Sequence, residues 1–173
     1  MDIYAPAPRL LHWLIAAIVI PLILVGLVLH FDLAPKPARH TLTVLHISFG
    51  LTVLALMVVR LAVRLTSPPP PLPAAIPARE RQASRLSHRL FYALLFAMPL
   101  FGITFEAFHP RPIPFFWLVS IPIFLPENKP ISHLFASFHF WGGMALIALL
   151  LVHVAAVIHH DRQGVPILQR MWK

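Results

Sequence analysis

The sequence predicts an all-α integral membrane protein, a bundle of four spanning helices with N- and C-termini cytoplasmic. Three observations predict it. Apolar residues make up 58% and charged residues only 12% of 173, with a mean hydropathy of +0.78, a balance that a water-soluble domain of this length does not tolerate. Four stretches are each long enough to cross a hydrocarbon core of about 30 Å, which takes about 20 residues of helix. The bases lie between those stretches and divide unevenly across them. A chain without cysteine has no disulfide scaffold, no Cys-based zinc site and no CxxCH haem attachment. The net charge of +8 is read as topology and contact with membrane lipid, not as nucleic-acid binding, because the bases flank apolar spans.

The first span runs near Leu10 to Phe31; it is too long for the apolar region of a signal peptide, and no convincing small-x-small cleavage site follows. The second runs near Thr41 to Val63. Thr66-Ser67 and the run Pro68 to Pro71 then predict a stiff, extended linker. The third span runs near Leu86 to Phe108. The apolar stretch Pro112 to Pro126 is too short to cross and is broken by Pro112, Pro114, Pro122 and Pro126, which predicts a lid or interfacial segment. The fourth span runs near Ile131 to Ile158. Residues 1–173 read as one domain without internal repeats.

Orientation follows from the bases, which are retained on the cytoplasmic side. Arg9, Arg60, Arg64, Arg79, Arg81, Arg85, Arg89, Arg162, Arg170 and Lys173 fall on one side, whereas Lys36, Arg39, Arg111 and Lys129 fall on the other. Ten against four puts both termini in the cytoplasm.

Eleven histidines in so apolar a chain carry the chemical signal, since an ionisable residue inside a span is expensive enough to be a functional candidate. His139 and His153 are fourteen residues apart, which returns to within about 40° on a helix and rises about 21 Å. The fourth span thus presents two imidazoles on one face, near opposite sides of the membrane. His46 lies about one turn inside the outer end of the second span, and His12 just inside the inner end of the first. Depth alone pairs His46 with His139 and His12 with His153. His30 is the rival for the outer position, because eighteen residues from His12 is about five turns; its boundary position and the lack of a small residue one turn away favour His46. Two histidines facing each other at two levels, without a carboxylate nearby, match axial ligation of two haem irons. Gly50, Gly142, Gly143, Ala16 and Ala156 stand three or four residues after a ligand candidate and leave room for a flat macrocycle. Trp13, Phe49, Phe138, Phe140 and Trp141 are aromatic candidates to pack around it.

At these residues the sequence resembles the bacterial cytochrome b561 family, four-helix dihaem membrane proteins related to the cytochrome b subunits of nickel hydrogenases. The resemblance is carried by Leu11-His12-Trp13, His46-Ile47-Ser48-Phe49-Gly50, Leu56 to Leu61 with Arg64, and the proline-rich loop. It continues through His88, Leu90-Phe91-Tyr92, Met98-Pro99-Leu100-Phe101-Gly102, His139, Leu151-Val152-His153, His159-His160 and Arg170-Met171, covering nearly the whole chain. It implies a multi-pass protein of the bacterial inner membrane with two haems b, the inner one ligated by His12 and His153 and the outer one by His46 and His139. The partners implied are a donor at the periplasmic face and the quinone pool, with ubiquinone as acceptor. Some members resemble superoxide oxidases, which pass an electron from superoxide to ubiquinone. The chain departs from the pattern at His159-His160, which stand one residue closer to His153, so both remain candidates.

Bis-histidine ligation fills both axial positions and favours electron transfer over oxygen chemistry. Arg60, fourteen residues after His46, falls on the same face at the inner depth and is a candidate to pair with haem propionates. His88, His159 and His160 are candidates to take up protons or to hydrogen-bond a quinone. Lys36, Arg39, Arg111 and Lys129 are candidates to steer an anion such as superoxide to the outer face. Alternatives are a general quinone-linked carrier for another redox partner, a metal transporter with histidine sites, and a membrane anchor that docks a soluble enzyme. The transporter would ask for carboxylates or closely spaced ligands around one ion.

Overall fold

In the computed structural model, which describes residues 3–109 and 111–172, four long helices account for most of the chain. They are α1 (Pro6–His30), α2 (Lys36–Thr66), α3 (Ala78–Ala107) and α4 (Lys129–Arg162). All four are long and apolar enough to cross a membrane. Each starts before the apolar run read from the sequence, most of all α3, whose first two turns, Ala78–Arg85, are polar; α2 and α4 also end beyond it. Hydropathy marks the part of a helix that sits in lipid; the backbone hydrogen-bond ladder continues into the polar flanks.

Proline sets the helix starts. Pro6 opens α1, Pro37 lies in the first turn of α2 and Pro130 in that of α4, positions where a missing N–H costs nothing. Asn128 also caps α4, its side chain accepting from Ile131 N. α1 closes through Asp32, which adopts φ 55° while Leu33 N donates back to Val28 O, a reversal that a short polar side chain tolerates.

Helices adjacent in sequence pack directly, α1 on α2, α2 on α3 and α3 on α4. The buried middle of the bundle is built around Ile15, Val53 and Met57, with Leu22, Leu95 and Tyr92 against them. At one end lie the α1–α2 connection and the segment between α3 and α4; this is called the lid end here. The other end carries both termini and the α2–α3 loop.

The lid segment is more ordered than the sequence suggested. β1 (Ile113–Phe115) and β2 (Val119–Ile121) form an antiparallel hairpin in which Pro114 faces Ser120. Phe116 N donates to the fully buried Ser48 Oγ at 2.6 Å, and the Phe116 ring packs edge-on against Phe49. At the termini end a short helix, α5 (Gln169–Trp172), was not foreseen. Arg170, read from the sequence as a topological base, is instead only 2% exposed. Its Nη2 donates to Pro70 O and Pro71 O, clamping the proline run to the C-terminal segment. Lys173, counted among the cytoplasmic bases, lies outside the described residues.

Candidate functional site: two facing histidine pairs

The structure brings together the pairs that depth suggested. His46 of α2 and His139 of α4 have ring centroids 5.9 Å apart; His12 of α1 and His153 of α4 are 6.3 Å apart. Neither pair joins helices that pack closely against each other, so the imidazoles meet across a gap. With metal–nitrogen bonds of about 2 Å, two imidazoles on opposite sides of one ion have centroids about 6 Å apart. The residues present therefore fit axial ligation at both levels.

The lid-end pair lines a cavity of about 520 Å³. Gly26 of α1 lies so close to His46 that an added Cβ would stand 3.1 Å from Cε1, and a Cβ at Gly102 of α3 would stand 3.3 Å from Cε1 of His139. Each glycine clears the carbonyl four residues before it. His139 Nδ1–H donates to Met98 O at 2.9 Å, and the buried His46 Nδ1 faces the backbone of Leu22 without closing a well-formed hydrogen bond. Fixing Nδ1 of His139 against a carbonyl leaves Nε2 as its free ring nitrogen, the usual way a ligating imidazole is oriented.

These cross-helix glycines are the feature that sequence reasoning missed. It looked for small residues on the ligand's own helix. Of those, Gly50 and Gly143 do line the cavity, and Gly50 opens on free space, but Gly142 instead accommodates Met98, whose Sδ would lie 2.5 Å from an added Cβ. Ala156 is exposed. A glycine in one span at the depth of a histidine in another was the available signal. His30 lines the same cavity but stacks on Phe140 at 4.0 Å and does not oppose His139.

The aromatic candidates mostly face elsewhere. Phe49 packs under the lid hairpin, Phe138 joins Phe101 and Phe135, Trp141 is exposed, and Trp13 Nε1 donates to Met171 O. Trp13 does keep an edge contact with His12 at 5.2 Å, and Phe140 lines the cavity.

The termini-end pair is built differently. A third imidazole, His88 of α3, stands 6.1 Å from His153, its Nδ1–H donating to Ser84 O at 2.7 Å. Arg60 is near enough to His12 and His88 to interact electrostatically with both, and its Nη1 is buried without a hydrogen-bond partner. An orphaned buried guanidinium nitrogen fits a ligand that brings carboxylates. In the last turn of α4, His160 Nε2 lies 3.5 Å from Glu80 Oε2 of α3, whereas His159 is exposed. Glu80 was not singled out by the sequence.

The rim bases at the lid end are largely paired. Arg39 bonds Asp32, Arg111 reaches Glu106 at 3.2 Å, and Lys129 lies 3.7 Å from Glu127. Arg39, Glu106 and Arg111 also line the mouth of the cavity, with Glu106 only 6% exposed. Lys36, at the first turn of α2, has no acidic partner among the described residues. No cluster of three His, Asp or Glu suited to a metal ion occurs among those residues.

The model of the prokaryotic cytochrome b561 family matches residues 3–173. The chain is 31% identical over 162 residues to "cytochrome b561 homolog 2" of Escherichia coli strain K12, covering 92% of this chain and 86% of that protein. It is 24% identical over 151 residues to the "probable superoxide oxidase CybB" of Yersinia pestis (87% and 84% covered). It is 28% identical over 127 residues to "cytochrome b561 homolog 1" of the same E. coli strain (73% and 72%). The chain belongs to the prokaryotic cytochrome b561 family: it is a multi-pass protein of the bacterial inner membrane, a haem b-binding electron carrier.

Proposed function

We propose that this chain holds two haems b, one between His46 and His139 and one between His12 and His153, and passes single electrons from a periplasmic donor, superoxide, to ubiquinone in the membrane. The observation that carries the reading is the pair of facing imidazoles at each of two levels, 5.9 and 6.3 Å apart. An iron held between two imidazoles supplies one-electron chemistry without an open position for oxygen.

The residues divide the remaining work. Gly26 and Gly102 let the lid-end imidazoles approach backbone carbonyls, and Met98 O holds the ring of His139, while Arg39 and Arg111 at the cavity mouth and Arg60 at the other level supply cations for the ligand's carboxylates. With the termini in the cytoplasm, the lid end faces the periplasm. His88 and the Glu80–His160 pair then stand on the cytoplasmic side, where a quinone taking two electrons must also take two protons; two superoxide anions supply the electrons and leave as dioxygen. Imidazoles suit that proton delivery because one ring nitrogen can accept a proton while the other releases one.

The name of the Yersinia relative supports superoxide as donor. The pairing of Arg39, Arg111 and Lys129 with acids supports a second reading, a general quinone-linked carrier served by another donor. Stopped-flow mixing of the purified oxidised protein with superoxide separates them. Reduction of the b-type spectrum faster than dismutation, with ubiquinone then reduced, upholds the first reading; reduction by quinol or ascorbate but not by superoxide leaves the second. C-terminal reporter fusions active only in the cytoplasm uphold the orientation, and periplasmic activity inverts it.

A further inference from the structure

The segment from Pro112 to Pro126 is the longest described stretch without helix or charge that bears on the bundle's side. It is uncharged throughout, and its roots are not: Arg111 pairs with Glu106 before it, and Glu127 with Lys129 after it. Its point of attachment is deep. Phe116 N bonds Ser48 Oγ, and Ser48 is eight residues past His40, the last basic residue before the apolar part of α2. Eight helical residues are about 12 Å, within the half-thickness of a hydrocarbon core of about 30 Å. The hairpin thus runs down the side of the bundle to just past the level of His46, and does not sit on top of it.

Its surface agrees with that depth. Ile113 is buried and lines the cavity, whereas Trp117 (63% exposed), Leu118 (81%) and Phe124 (89%) point away from the protein. These side chains continue the apolar outer surface of helices that face lipid. The backbone is prepared in the same way. Non-helical chain at membrane depth must find internal partners or shed its polar groups. Here four prolines carry no N–H, Phe116 N is satisfied by Ser48, Leu118 N bonds Phe115 O, and strands of three residues leave little unpaired edge.

We propose that residues 112–126 form a re-entrant flap inserted in the bilayer, its turn at Phe116–Leu118 lying among lipid acyl chains at the depth of the His46–His139 pair. The occupant of its exposed apolar face is bilayer lipid. Ile113 then covers the side of the lid-end cavity against that lipid, and Ser48, bonded to Phe116 N, is the tether that holds the flap in place.

The chain lacks cysteine, so single labels are straightforward. The full-length protein in liposomes, labelled with a nitroxide at L118C and separately at F124C, is compared with two references. One is A74C in the exposed α2–α3 loop; the other is L151C on the outward face of α4. Collision with oxygen and with a water-soluble nickel chelate is measured at each. The labels at positions 118 and 124 lose chelate collisions and match the position 151 reference. Chelate accessibility at both positions nearer to the position 74 reference overturns the flap. Protection at 118 but not at 124 retains the inserted turn and overturns insertion of the second limb.

Discussion

The two histidine pairs have nearly the same separation and opposite surroundings. At the lid end, glycines on the neighbouring helices let His46 and His139 approach backbone carbonyls, and the rings line a largely apolar cavity that Ile113 of the hairpin also lines. At the termini end no such glycine stands against His12 or His153; instead a third imidazole and an unpartnered Arg60 nitrogen lie beside them, and the Glu80–His160 pair stands farther along α4. One site is fixed by backbone and shape, the other by charge and titratable groups. Two facing imidazoles can thus be held in two ways, and each is vulnerable to a different substitution.

The sharpest break of this comparison is at the ligands. His46→Ala or His139→Ala removes the lid-end haem, His12→Ala or His153→Ala the other, each halving the haem-to-protein ratio in a pyridine haemochrome assay. If His46→Ala keeps both haems and His30→Ala loses one, the lid-end assignment fails. Next in size are the glycines. Gly26→Leu or Gly102→Leu overpacks the lid-end ligand at a cost of about 1–3 kcal/mol, read as roughly tenfold to a hundredfold weaker haem retention at that level alone. Equal loss at both levels would dissolve the contrast.

Arg60→Gln tests the charged site. A cation near a haem favours the reduced form, so its removal lowers the midpoint potential of the termini-end component; a tenfold shift of that equilibrium is about 59 mV for one electron. The lid-end component stays where it was in a redox titration. An equal shift in both would mean that Arg60 acts through the bundle as a whole. The smallest effect is at the rim. Reversing Lys36, Arg39 and Lys129 together slows superoxide-driven haem reduction by at most about fivefold, because exposed ion pairs are worth only about 0–1 kcal/mol, and salt erases the difference. A larger, salt-resistant loss would point to direct contact.

The sequence by itself determined the four spans, the depth of each histidine and hence which could meet, because helical rise and the thickness of lipid are fixed lengths. The prolines of residues 112–126 likewise excluded a fifth span, although not how the segment folds. Helix starts were displaced outward because hydropathy does not report backbone hydrogen bonding beyond the lipid. Tertiary structure decided the rest. That Gly26 faces His46 and Gly102 faces His139 depends on which helices adjoin and at what rotation, which a periodicity within one helix does not contain. The pairing of rim bases with Asp32, Glu106 and Glu127, the burial of Arg170 against Pro70 and Pro71, and the seat of Phe116 on Ser48 all join residues whose meeting is set by packing. Depth is a one-dimensional property and can be counted along the chain; orientation around each helix axis is settled only when the helices close on one another.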